Sequence, residues 1–316
     1  MSKKTILLTF FLLLFAGVTF TQQDMLLTHF IYNKMGLNPG STGLDEGFCA
    51  TSAYRNQWDK VDGAPNSAIL NLEGNMNRFF PGGLGLNFYH DAIGFGRQNN
   101  LMVNYSYPVE LPSGDKLGIG IGVGFEGYGM KPTWVTPDQS ATVDNSLPSG
   151  YSSMGLDMNF GLYYKSTKNF YVGLSSTHIT ATELSNKNVL GTASQKYLIA
   201  RHYYLMTGYK KQLGTSLNYL DFQLLLKSDA KKSSVDINTR FILGSIGYAG
   251  LTYRTSDAVA VMLGFNPFTN FTVGYSYDLT LNKLSSISRG SHEILLKYCY
   301  FLPIPPVAVS RHPRWL

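Results

Sequence analysis

The sequence predicts an all-β chain: a transmembrane antiparallel β-barrel of about 14 strands, with an N-terminal plug-like segment and a Pro-rich C-terminal tail. Three observations carry that prediction. Apolar residues alternate with small or polar ones at period 2 along most of the chain, and no i, i+3, i+4, i+7 pattern is sustained beyond residue 21. The alternating runs are mostly about nine to eleven residues long, the span a tilted strand needs to cross a bilayer. Composition agrees: 15% of the 316 residues are charged, against roughly 25% in soluble domains, with 32 Gly, 21 Tyr and 19 Phe but only 3 Trp. A hydrophobic content of 44% argues against disorder. A mean hydropathy near zero argues against a polytopic helical membrane protein.

Residues 1–21 read as a secretory signal peptide. Lys3 and Lys4 precede an uncharged apolar run, Ile6–Phe20, that is too short for a spanning helix, and polar residues follow at once. Thr19 and Thr21 suit a cleavage site after Thr21, and no Cys lies nearby to carry a lipid. Removing Lys3 and Lys4 leaves 24 basic against 20 acidic residues, a surplus too mild and dispersed for nucleic acid. Residues 22–47 form the N-terminal plug segment, 48–301 the barrel and 302–316 the tail.

Strands are expected near 48–58, 66–73, 82–90, 99–109, 116–126, 153–164, 169–177, 202–210, 218–227, 233–242, 245–254, 257–265, 269–278 and 291–300. The clearest run sets Leu117, Ile119, Ile121, Val123 and Phe125 against Gly118, Gly120, Gly122 and Gly124. In lipid every backbone N–H and C=O must be paired inside the protein, so such a sheet has to close. One side-chain set then faces lipid and the other the lumen, where small residues leave room for something to fill the barrel. Tyr residues near strand ends (Tyr105, Tyr107, Tyr163, Tyr164, Tyr203, Tyr204, Tyr275, Tyr277, Tyr298 and Tyr300) suit interfacial girdles. Asn266-Pro267 and Leu243-Gly244 read as short turns. The segments 127–152 and 178–201 read as long outward loops, either recognition surfaces or irregular ones, and the first holds Trp134, a possible partner-binding residue. Cys49 and Cys299 are read as two separate small apolar residues, although a bridge between the first and last strands is geometrically open.

Chemistry is sparse. The six His residues show no pair at ligand spacing, so no metal or cofactor is expected. His292-Glu293 lacks a second His four residues on, and the Gly118–Gly124 run has strand periodicity rather than a phosphate loop followed by a helix. No G-x-S-x-G elbow occurs, and no enzyme is expected.

Four segments, in order, resemble the PorP/SprF family of type IX secretion and gliding-associated outer-membrane proteins of Bacteroidota. Thr28-His29-Phe30-Ile31-Tyr32-Asn33, then Leu37-Asn38-Pro39-Gly40 and Gly43, look like the family's Q-Y-M-x-N-x-x-x-x-N-P-A-x-x-G motif, with Gly40 in place of Ala. Tyr54-Arg55-Asn56-Gln57-Trp58 with Gly63-Ala64-Pro65 is similar to Y-R-x-Q-W…G-A-P. Gly83-Leu84-Gly85 with Asp91, Ile93 and Gly94 resembles G-L-G…D-x-I-G, and Tyr275–Asp278 with Gly290–Ile294 resembles Y-x-Y-D…G-S-H-E-I. The resemblance covers residues 24 to 300 or so. It implies an outer-membrane barrel that works with the type IX machinery. Its partner would be a secreted adhesin or other large surface protein, bound through that protein's C-terminal domain and exported or retained at the surface. Periplasmic or outer-membrane type IX components are further implied partners. The other reading is a passive channel for small solutes or lipids.

Physically, Asn33, Asn38 and Pro39 suit turns, while Phe30, Ile31, Tyr32 and Leu37 offer the plug an apolar face. Arg55 is expected on the lumen face, opposite Trp58, bracing the barrel through Asp62, Asp91 or Glu293. A charge on the lipid face would cost roughly 2–4 kcal/mol at the midplane. Four prolines make the tail an extended, polyproline-like segment, loose or docked on a partner or on the barrel base through Arg311–Leu316.

Overall fold

The computed structural model describes residues 25–133, 150–186 and 195–302. The signal segment, Trp134 and the tail from Pro303 lie outside the described residues. Fourteen antiparallel strands close into a barrel: β1 (Phe48–Asn56), β2 (Asn66–Asn75), β3 (Gly83–Ile93), β4 (Gly96–Glu110), β5 (Lys116–Met130), β6 (Tyr151–Lys165), β7 (Phe170–Thr177), β10 (His202–Gln212), β11 (Tyr219–Ser228), β12 (Ser233–Leu243), β13 (Gly247–Arg254), β14 (Ala258–Phe268), β15 (Phe271–Thr280) and β16 (Ser291–Tyr300). Each barrel strand pairs with the barrel strand that follows it in the chain, β7 with β10 included, and β1 pairs with β16 along its full length, from Phe48 opposite Tyr300 to Asn56 opposite His292. The expected long loop 178–201 instead carries a separate hairpin, β8 (Glu183–Asn186) with β9 (Gln195–Leu198). That pattern was hidden because each strand has only four residues, too few for period 2 to show.

The two longest connections, 131–150 and 178–201, leave the rim opposite the start of β1 and the end of β16. By the usual rule for such barrels that rim faces outward, and the rim of short turns faces the periplasm. On β5, Ile119, Ile121, Val123 and Phe125 are exposed to the surroundings of the barrel, while the alternating glycines are buried toward the lumen. Of the expected Tyr girdle, Tyr107, Tyr203, Tyr275, Tyr298 and Tyr300 do face outward. Tyr163 and Tyr204 correct the expectation: both are buried inward. Adjacent strand residues point to opposite faces, so only one member of each Tyr-Tyr pair can reach lipid. Asn266-Pro267 is a second correction, since it lies within β14 at an irregularity between Phe265 and Phe268, and the chain turns at 269–270 instead. A proline is tolerated there because the bulge needs no ladder N–H from it.

Cys49 and Cys299 also differ from the preferred reading: they form a disulfide. The register places them directly opposite one another at the inner rim, which sequence alone could not specify. The bond ties strands 250 residues apart in sequence. Its loss through Cys49→Ser is expected to cost about 2–5 kcal/mol of stability. A reducing against non-reducing gel detects the bond, and a lower thermal midpoint for the variant measures it.

Two inner-rim turns, 111–115 and 166–169, are locked by Asp115. Its carboxylate accepts hydrogen bonds from Ser113 Oγ (2.6 Å), Tyr164 OH (2.7 Å), Thr167 N (2.8 Å) and Ser166 Oγ (3.0 Å). Those donors, Ser113 first, hold its carboxyl well below the usual range. A depressed folded-state pKa stabilises above the unfolded value of about 4 and is lost as pH falls below it. Asp115→Asn is therefore expected to lower the thermal midpoint at neutral pH, with the gap to wild type narrowing as pH drops below about 4.

Candidate functional site

The lumen is occupied by the chain's own residues 25–45. Phe30–Tyr32, Lys34–Leu37 and Pro39–Ser41 are three short helical turns. Their apolar side chains Phe30, Ile31, Leu37 and Leu44 pack on Tyr163, Tyr171, Tyr204, Met206, Leu225, Tyr248 and Met262 of the wall, while Leu27 packs on Ala53, Ile69, Tyr89 and Leu295. A short apolar peptide holds a fixed path here because its backbone polar groups are met by the wall. Asn38 caps its own turn by accepting from Gly40 N (2.9 Å) and donates to the carbonyls of Leu162 (3.0 Å) and Leu174 (3.3 Å). Ser175 Oγ donates to Leu37 O (2.6 Å) and Ser106 Oγ to Gly40 O (2.8 Å). Asn33 accepts from Asn71 (2.7 Å), which accepts in turn from Asn87 (2.5 Å). The glycines of β5 and β6 are what admit the segment: a Cβ on Gly120 would collide with the backbone of Pro39 and Gly40, and one on Gly161 with Asn38.

The segment starts near the outer rim, where a buried ionic network receives it. Arg55 donates to Asp278 (2.7 Å), Thr28 Oγ1 (3.0 Å) and Glu293 (3.2 Å). Glu293 also accepts from the backbone N–H groups of Thr28 and His29 (2.8 Å each) and contacts His29 Nδ1 at 2.7 Å. Arg254 links Asp236 (3.3 Å), Asp257 (3.2 Å) and Asp278 (3.5 Å), donates to Leu27 O (3.4 Å), and Lys227 joins Asp236 at 3.0 Å. Arg55, Asp278, Glu293 and Asp236 are each at most 1% exposed. Nearer the inner rim, Arg240 pairs with Asp221 and donates to Tyr32 OH (3.0 Å). A cavity of about 480 Å³ lies at the inner end, lined in part by Tyr32, Lys34, Asp45, Glu73, Lys165 and Lys297.

The structure brings most of the motif residues to one place, the seam between β1 and β16 with the plug behind it. Arg55 and Glu293 are register partners across that seam. Trp58 N donates to Ser291 Oγ (3.1 Å) and Gln57 N to Pro65 O (2.9 Å), so the Q-W…G-A-P stretch folds as the outer turn beside the seam. Gly94 N donates to Gly63 O (2.9 Å), joining this turn to the next. Ala64 closes that turn through its N–H to Val61 O (3.1 Å). Tyr54 faces outward, and His292 lies against Tyr275 OH at 2.8 Å. Two expectations about Arg55 are corrected. Asp62 is exposed in the outer turn, and Asp91 accepts from Ser67 Oγ at 2.5 Å, so of the three acids named only Glu293 reaches it. Trp58 does not sit opposite Arg55 by strand parity, because β1 ends at Asn56 and Trp58 has φ 53°. Sequence reasoning missed Arg254, Asp236 and Asp278 as a unit. Their signal is charge on lumen-parity positions of strand ends that share one rim.

Compared with known proteins, the chain matches the family described as type IX secretion system membrane protein PorP/SprF over residues 19–298. The chain belongs to the PorP/SprF family. No protein of curated function matches it. Among solved structures, this PorP/SprF barrel is similar to the Ralstonia pickettii toluene transporter TbuX, at 12% identity over 86% of this chain and 94% of that one, TM-score 0.52. It is also similar to the monoaromatic hydrocarbon channel CymD, at 12% identity over 86% and 93%, TM-score 0.50. At that identity the likeness shows the fold alone: an outer-membrane β-barrel. The protein is therefore an outer-membrane barrel of the type IX secretion system.

Proposed function

We propose that this barrel binds the C-terminal domain of a cognate secreted adhesin or other large surface protein and supports its export or retention at the cell surface. The observation that carries the reading is the occupied lumen. In a PorP/SprF barrel filled by its own residues 25–45, the surfaces left for a partner are the two rims. The outer rim bears the long connections and the inner rim the 480 Å³ cavity, which suits contact with periplasmic type IX components. Co-purification of a large secreted protein with the detergent-solubilised barrel tests the reading. Because β5 runs to Met130 and β6 starts at Tyr151, deletion of 131–150 with a two-residue Asn-Gly turn in its place spares both strands. The deletion is expected to leave the barrel assembled and to abolish surface display of the partner. Display that persists unchanged removes that loop from the binding surface. Liposome swelling separates this reading from a passive channel, since a plugged barrel passes little solute.

A further inference from the structure

Glu126 and Asp157 lie on the lumen face of β5 and β6 near the outer rim, diagonal neighbours in a register that sets Gly124 opposite Asp157 and Glu126 opposite Gly155. His178 follows directly on the end of β7, and its Nδ1 lies 2.7 Å from Asp157 Oδ2. All three are buried, and one donor atom from each lies within 4.8 Å of the others. Asn100, opposite Glu126 on β4, donates to Glu126 Oε2 (2.5 Å) and to Asp157 Oδ2 (3.3 Å), and Tyr89 OH donates to Glu126 Oε2 (3.1 Å). These contacts orient the carboxylates as an outer shell does around a metal centre. A second observation points to the same place. His202, at the start of β10, is 8% exposed, its Nδ1 has no hydrogen-bond partner among the described residues, and its ring stands edge-on to His178 with centroids 6.0 Å apart.

We propose that Glu126, Asp157 and His178 form a site for a divalent transition-metal ion, beside the unpartnered Nδ1 of His202. Two carboxylates with imidazole nitrogen suit zinc or manganese better than calcium, which takes oxygen ligands. The site would also fasten the 178–201 excursion to the wall. The described parts of that excursion rest on the outer ends of β4, β5 and β6: Thr182 Oγ1 donates to Leu156 O (2.7 Å), Tyr197 OH donates to Gln98 (3.2 Å), and the Tyr197 ring stacks on Tyr128 at 3.8 Å.

The full chain, purified in detergent and stripped with EDTA, is titrated with zinc and separately with manganese. Metal content is measured after desalting, along with the thermal midpoint and the protease cleavage rate within 178–201. The expected result is one ion per chain, a raised midpoint and cleavage slowed at least tenfold. Glu126→Gln and His178→Gln should each weaken binding at least tenfold, whereas His90→Gln, on β3 away from the cluster, should not. The gel mobility of the folded barrel confirms that each variant assembles. Wild-type protein that retains neither ion overturns the proposal even if both variants misfold. So does retention by Glu126→Gln and His178→Gln equal to wild type, which would mean that the ion binds elsewhere and the cluster is hydrogen-bonded only.

Discussion

Arg55→Ala is expected to destabilise the folded barrel by about 3–5 kcal/mol, the loss typical when one member of a buried ion pair is removed. Arg55 is 1% exposed and serves Asp278, Glu293 and Thr28 together. Without it both carboxylates stay buried, and the hydroxyl that links them to the plug loses its donor. Arg254, 3.5 Å from Asp278 and already shared with Asp236 and Asp257, cannot replace a fork that also reaches Glu293. Arg55→Lys should fall between the two, since an ammonium keeps the charge but not the planar two-nitrogen geometry. A double-mutant cycle with Glu293→Gln should show coupling of about 0.5–3 kcal/mol, the double variant suffering less than the sum of the singles. The temperature at which the barrel loses its folded mobility on a gel is the measurement. Wild-type stability in Arg55→Ala combined with loss of partner display would reverse the assignment and make Arg55 a contact to the partner.

That network also marks how far the sequence could be read. The barrel was legible because lipid imposes one rule on every strand, and period 2 records it directly: Ile119, Ile121 and Val123 outward, Gly118, Gly120 and Gly122 inward. Parity places Arg55 in the lumen as well. Parity is silent on strand register and side-chain reach, however, and these select the partner. Asp91 lies level with Arg55 two strands away, through Ser67, yet accepts from Ser67 Oγ, whereas Arg55 reaches Glu293 directly opposite and Asp278 beyond it, two residues off that level. The Cys49–Cys299 bond is the same lesson, since a two-residue slip between β1 and β16 would part the sulfurs without altering any periodicity. Trp58 shows the opposite limit, where parity was carried past a strand that had already ended. Glu126, Asp157 and His178 converge from three elements, so no local spacing announces them.

Gly120→Leu is expected to eject the Pro39–Gly40 turn from the lumen while leaving the barrel closed. The backbone ladder that pairs Gly120 with Ser106 and Gly161 does not involve a side chain, and the outward face of β5 is untouched. Inward there is no room, because even a Cβ at Gly120 meets the plug backbone. Forcing a larger side chain into a packed interior costs typically about 1–3 kcal/mol, enough to release a short segment held by a few hydrogen bonds before it breaks a sheet. Release strips Asn38 of the Leu162 and Leu174 carbonyls and Gly40 of Ser106 Oγ. New protease cleavage within 34–45 should then appear together with faster liposome swelling. Ile121→Leu, one residue along the same strand, points outward and should change neither. If the plug becomes cleavable in Gly120→Leu and swelling stays at the wild-type rate, residues 25–45 are a brace for the wall and something else in the lumen limits permeation. If both change, the glycines of β5 exist to seat the segment that shuts the barrel, and the rims are what a partner can reach.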